Sequence, residues 1–200
     1  QPDNDMSDQA KIIGFIGNSC TGKTTAALST IAHLKKRKLL VGYCNDACRF
    51  VTFPPDRFDT DPDARLHVLF TQMRNETEQL VRSDCDSLVT ERTVLDWWLY
   101  YKWTCHNVDT RPDETVEKLV LTWMHRYSLM FCMDSAGMTY IDDGFRPATT
   151  KIRDEIDTYY QAHFKTMDVV KKSVLISDND VSRRTDRVIT ALDAWLARNG

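Results

Sequence analysis

The sequence predicts an α/β protein: a five-stranded parallel sheet with helices on both faces, in three layers. Three observations predict it. Five short apolar runs lack polar alternation, the pattern of strands buried on both sides. Segments with apolar residues at helical spacing separate these runs, as the crossovers of a parallel sheet require. A glycine-rich turn joins the first run directly to the first helical segment. At 200 residues, the chain suits one domain that buries roughly 70% of its unfolded surface.

Each element follows in order. Residues 1–10 are polar, carry three Asp and are expected to be a mobile tail; residues 11–200 are expected to form the single domain. Lys11–Gly17 (KIIGFIG) reads as the first strand. Lys23–Lys36 reads as a helix with Ala27, Ile31 and Leu34 on one face and lysines at its C-terminal end, where the helix dipole favours cations. Leu39–Cys44 is the second strand, and Phe53-Pro54-Pro55 opens a long loop reaching Asp63. Ala64–Val81 places Leu66, Leu69, Met73 and Leu80 at helical spacing. Asp86–Glu91 is the third strand, followed by an aromatic-rich helix over Thr93–Trp103. Asp113 is a candidate N-cap for a helix to His125. Ser128–Asp134 is the fourth strand, and residues 135–150 form a loop containing Gly137, Gly144 and Pro147. A helix over Lys151–Phe164, a strand at Ser173–Ile176 and a helix over Val181–Arg198 complete the pattern.

Composition narrows the function. Lys plus Arg is 26 against 29 Asp plus Glu, a formal net charge of -3. That balance gives no general basic field for nucleic acid. No apolar run approaches the roughly 18 residues of a membrane span, so no membrane partner is expected. Six cysteines without paired metal spacing read as reduced thiols, and a cytoplasmic setting is expected. The five histidines also lack metal-ligand spacing.

Gly17-Asn18-Ser19-Cys20-Thr21-Gly22-Lys23-Thr24 matches G-x-x-x-x-G-K-[ST] in full, between a strand and a helix. The chemistry needs this arrangement. Glycines let the backbone wrap closely around a phosphate, successive N–H groups form an anion nest, and the helix dipole adds positive charge. Lys23 supplies a mobile charge for the outer phosphates, and the Thr24 hydroxyl is placed to hold Mg²⁺. Gly17 to Thr24, with the adjoining Thr25, form the candidate nucleotide-binding set. No guanine-reading Asn-Lys-x-Asp motif occurs, and ATP and Mg²⁺ are the expected cofactors.

The reaction depends on groups at the C-terminal ends of the other strands. The second strand runs into Asn45-Asp46-Ala47-Cys48-Arg49 and the third into Glu91-Arg92-Thr93. The fourth ends in Asp134, so Asp134 rivals Glu91 as a magnesium ligand. Together with the later Asp142-Asp143-Gly144-Phe145-Arg146-Pro147, these motifs resemble small P-loop kinases, in particular ribosylnicotinamide-kinase-like proteins and related AAA-type phage nucleotide kinases. Glu91-Arg92-Thr93, then Asp96 and Tyr100, stand where those proteins carry Asp-Arg-Ser or Asp-Arg-Thr, an Asp and a Tyr. The Glu-Arg form also resembles the Glu-Arg-Ser motif of deoxynucleoside kinases.

That resemblance implies a P-loop NTPase fold with a lid at about residues 135–150, and it implies roles. Glu91 orients Mg²⁺ or its water shell. Arg92 neutralises the acceptor or the transferring phosphate. Asp46 is the candidate general base, and Arg49 helps to position the acceptor. Arg146 lies in the lid and stabilises the transferring group. Arg49, Asp96, Trp97 and Tyr100 are the candidate acceptor contacts, since Trp97, Trp98, Tyr100, Tyr101 and Trp103 spread around one helix, either lining a pocket or packing under the 52–63 loop.

The leading expectation is a Mg²⁺-dependent kinase that moves the ATP γ-phosphoryl to a nucleoside- or nucleotide-type acceptor. One alternative acceptor is a modified base or an end of DNA, as in phage relatives. Another reading is a nucleotide-gated ATPase or binding module, against which stand the short chain and the lack of an Asp-Glu pair at a strand end. The expected setting is a bacterial or phage-infected cell, and a homodimer is one expected assembly.

Overall fold

Alternation along β1 (Lys11–Ile16) divides the core in two: Ile12 and Ile16 join one apolar cluster, Ile13 and Phe15 the other. The computed structural model describes residues 10–52, 57–82, 84–139, 150–166 and 172–199. β1 lies at the centre of one sheet. With β2 (Val41–Cys44), β3 (Ser87–Thr90), β4 (Tyr127–Met133) and β5 (Ser173–Ile176), the order is β2-β3-β1-β4-β5. Every neighbouring pair is parallel. The expected five-stranded parallel sheet is therefore present.

Helices α1 (Lys23–Lys36) and α7 (Val181–Asn199) cover one face. Their Ala26, Ala27, Leu34, Val188 and Leu192 close over Ile13, Phe15 and Phe131. The other face carries α3 (Pro62–Arg82), α4 (Val94–Asn107), α5 (Glu114–Met124) and α6 (Thr150–Thr166). A single turn, α2 (Arg57–Thr60), packs on α3 and α4. These three layers bury apolar surface on both sides of the sheet, which accounts for strands that are apolar throughout.

Two differences from the sequence expectation have local causes. The loop read up to Asp63 already contains α2 and the start of α3. Pro62 opens α3, the one helical position where a missing N–H is harmless and a fixed φ helps. The second difference concerns α4. It packs against α2, α3, α5 and α6, so Trp97, Trp98, Tyr100, Tyr101 and Trp103 are all buried although they point in different directions. A helix that is apolar all round is an interior helix.

The topology places a crevice above β1. The chain leaves β1 through α1 towards β2 and later crosses back to β4 on the other side. Ligands bind at such reversals, beyond the carboxyl ends of the strands. The turn after β1, the 3₁₀ turn Ala47–Phe50 after β2 and residues 91–93 after β3 all meet this end. Residues 140–149, with Arg146 and most of the expected lid, lie outside the described residues, as does the tail up to residue 9.

Candidate active site

The loop between β1 and α1 is fixed by close approach and left-handed backbone. A Cβ at Gly17 would stand 2.3 Å from the Met133 carbonyl oxygen of β4, so only glycine fits there. Gly22, with φ 83°, caps α1, and Cys20 adopts φ 59°. Left-handed residues in such a loop turn successive N–H groups towards one point. Lys23, only 6% exposed, donates through Nζ to the Asn18 carbonyl and lies 3.3 Å from Thr21 Oγ1. Its ammonium is therefore held against the loop it would serve.

The third strand delivers two charged groups to this loop. The Thr24 hydroxyl donates to Glu91 Oε1, while the Tyr43 hydroxyl donates to Glu91 Oε2 at 2.8 Å. Burial and the neighbouring Glu91 carboxylate push the Tyr43 phenol well above its ordinary pKa, so at neutral pH it remains a donor. Asp134, by contrast, accepts from its own loop at Ala136 N (3.1 Å) and from Gln161 Nε2 of α6 (3.2 Å). Glu91, not Asp134, stands beside Thr24.

Arg92 is 1% exposed and anchors the centre of the site. Its Nε donates to Asp46 Oδ2 at 3.0 Å, and its Nη1 donates to Asp96 Oδ1 at 3.2 Å and to the Gly17 carbonyl at 3.2 Å. Burial alone would lower its pKa. The Asp46 carboxylate, with Tyr100, Tyr160 and Asp96, more than reverses this and keeps the guanidinium firmly charged. The Trp97 and Tyr100 rings lie under it, 5.1 and 5.6 Å from the guanidinium carbon. Asp46 also accepts from Cys48 N at 3.1 Å, which fixes the turn after β2.

Asp96 is fully buried. One oxygen accepts from Thr93 N at 2.8 Å in a capping box that starts α4. The other accepts from Gly17 N at 3.0 Å and Tyr160 Oη at 2.8 Å. Asp96 thus ties the phosphate-loop backbone to α4 and α6.

A cleft of about 280 Å³ opens over these groups. Cys20 to Thr25 line one side, Asp46, Arg49, Glu91 and Arg92 another, and Met138, Thr139 and Val181 a third. Of the four candidate acceptor contacts, Arg49 lines the described cleft. Trp97 and Asp96 lie beneath it, and Tyr100 reaches Asn18 Oδ1 at 3.4 Å from below. Sequence reasoning missed Tyr43 and Tyr160, and also the part that Arg184 plays. The fully buried Arg184 guanidinium binds the carbonyls of Thr21 (3.1 Å), Asp134 (2.5 Å) and Asp178, joining α7 to the loop and to the end of β4. Thr93-Val94-Leu95-Asp96 has the [ST]-x-x-[DE] spacing of a capping box, a signal the sequence reading did not use; the other contacts depend on strand order.

Fold and site together define a P-loop protein with a five-stranded parallel sheet. A family model described as an AAA domain matches residues 12–184, and the chain belongs to that family. Among curated proteins, none matches it. Among solved structures it is similar to NadR protein in complex with NAD and AMP-PNP, with TM-score 0.62, 14% identity and coverage of 92% of this chain and 49% of that one. NadR protein in complex with NR gives 0.59 and 16%, covering 92% and 51%. Deoxyadenosine kinase from M. mycoides with bound dATP gives 0.59 and 12%, covering 92% and 99%. The chain thus spans about half the length of the NadR chains and nearly all of the kinase, and at these identities the likeness is one of fold. No helix among the described residues is long and apolar enough to cross a membrane.

Proposed function

We propose that this chain is a Mg²⁺-dependent kinase that moves the γ-phosphoryl of ATP to a hydroxyl or phosphate of a nucleoside- or nucleotide-type acceptor. One observation carries the reading. Lys23, the Thr24–Glu91 pair and the Asp46–Arg92 pair, from three strand ends, share one cleft. A protein that only bound nucleotide would need the loop but not a carboxylate–guanidinium pair facing it. Solved relatives in fold hold NAD with AMP-PNP, NR, or dATP, which supports a nucleotide donor and a nucleoside-like partner.

The residues fit Mg²⁺, which asks for hard oxygen ligands and takes only one or two from protein. Thr24 Oγ1 and Glu91 Oε1, already adjacent, would hold the ion or its water shell. When bound, the ion neutralises charge on the β- and γ-phosphates. The chain does the rest. Loop amides and Lys23 orient the triphosphate, and Arg92 stands at the developing charge, preorganised by its two carboxylates. Asp46 lines the cleft beside Arg92, and one of its oxygens receives the acceptor hydroxyl proton. Arg49 holds the acceptor, and Arg146, outside the described residues, is the proposed partner of the transferring group.

γ-Labelled ATP, Mg²⁺ and a panel of nucleosides, monophosphates, ribosylnicotinamide and base-modified DNA test this directly. Label in a small acceptor is the expected result. Release of inorganic phosphate at one rate whatever the acceptor contradicts it.

A further inference from the structure

We propose that Gln72, oriented by Glu76, is a positioning residue that sets the Glu91-Arg92 turn from beneath; the inference rests on the reading of Glu91 as a magnesium ligand. Both side chains are fully buried on the sheet-facing side of α3. Gln72 Nε2 lies 2.9 Å from the Arg92 carbonyl, 2.9 Å from Thr90 Oγ1 and 2.9 Å from Glu76 Oε1. The Thr90 hydroxyl donates to the same Arg92 carbonyl at 2.5 Å, so its oxygen faces the amide as an acceptor. That nitrogen also lies 3.5 Å from Cys44 Sγ. The Arg92 carbonyl has no proton to give, so the amide must turn its N–H₂ towards it. Glu76, which also receives the Tyr127 hydroxyl (2.7 Å) and Trp123 Nε1 (2.8 Å), stands beside the same nitrogen and takes the second hydrogen.

The turn is held at both ends of its inner side. Arg92 O takes Gln72 and Thr90, and Val94 N donates to Tyr127 Oη at 3.1 Å. From its outer side emerge the Glu91 carboxylate towards Thr24 and the Arg92 guanidinium towards Asp46 and Gly17. The amide carries a cost of its own: among the described residues Gln72 Oε1 is buried without a hydrogen-bond partner, a penalty that a methionine of the same length would avoid while leaving Arg92 O to the Thr90 hydroxyl alone. What the amide adds is a fixed direction for the Arg92–Thr93 peptide, directly after the two residues that carry the charged groups, the arrangement by which outer partners orient metal ligands.

The test uses the full chain and reads binding of a non-hydrolysable ATP analogue with and without Mg²⁺, by calorimetry, beside a thermal melt. Gln72→Met is expected to leave metal-free analogue binding within about twofold and to weaken Mg²⁺ binding to the complex about tenfold or more. In a Glu91→Gln background the same substitution should add nothing, because it acts through Glu91. An unchanged Mg²⁺ affinity, or effects that multiply in the double variant, overturns the proposal. Should Gln72→Met not fold, the isosteric Thr90→Val removes the other donor to Arg92 O and carries the same expectations. Wild-type protein that binds Mg²⁺ with the analogue but transfers no phosphoryl group defeats the kinase reading and leaves this inference standing.

Discussion

Glu91 and Asp134 look alike in the sequence. Each ends an apolar strand, and β3 and β4 flank β1 on its two sides. In the fold they diverge. Glu91 meets the Thr24 hydroxyl on one oxygen and the Tyr43 hydroxyl on the other, whereas Asp134 turns to its own loop and to Gln161. An acidic residue at a strand end is thus not enough to make a site beside the phosphate loop. The neighbours across the sheet decide which carboxylate faces the loop and which closes a turn.

Within this comparison, the largest expected effect bears on what both carboxylates would serve. Lys23→Ala should lower transfer by about 10²–10³-fold, the loss typical of one preorganised charge donor, measured as kcat/KM with the best acceptor; a loss under threefold would break the assignment. The comparison itself comes next. Glu91→Gln should lower kcat by about 10- to 100-fold and raise the Mg²⁺ concentration needed for half activity, while Asp134→Asn stays within about threefold. Equal effects would show that the contrast between β3 and β4 has no functional content. A smaller effect sharpens it. Burial pushes the thiols of Cys44 and Cys132 up to about 12, and the reactive form is the thiolate. At pH 8 both should resist a thiol reagent over minutes, even though Cys132 lies two residues from Asp134. Cys20, part-exposed in the cleft, should react and be protected by ATP analogue, as mass spectrometry would show. Fast labelling of Cys132 would mean that the β4 end opens.

Much of the fold was legible because its signals are local. The strand, glycine turn and helix around Gly17–Thr24 sit in one stretch, and chemistry ties each residue type to its place. The sheet followed from apolar runs that only burial on both faces explains. The aromatic helix was harder. Residues pointing in all directions left two readings open, an acceptor pocket or packing under the 52–63 loop, and packing by α2, α3, α5 and α6 buries every direction. Asp96 also changed place: a motif position expected near an acceptor is a capping residue that grips Gly17 N. Tyr43 and Gln72 left no signal. Tyr43 reaches Glu91 because its register partner is Val89, two residues earlier on the same side of β3. Gln72 matters through which face of α3 meets the turn. Both facts belong to strand order and helix packing, which no spacing in the chain encodes.

The kinase reading requires that Asp46 act on an acceptor rather than on water, and Asp46→Asn tests it most directly. In a single-turnover reaction with γ-labelled ATP and the best acceptor, Asp46→Asn should slow transfer by about 10²–10⁴-fold while the ATP dissociation constant changes little. Transfer at the wild-type rate, or an equal loss in transfer and in ATP binding, would contradict the account.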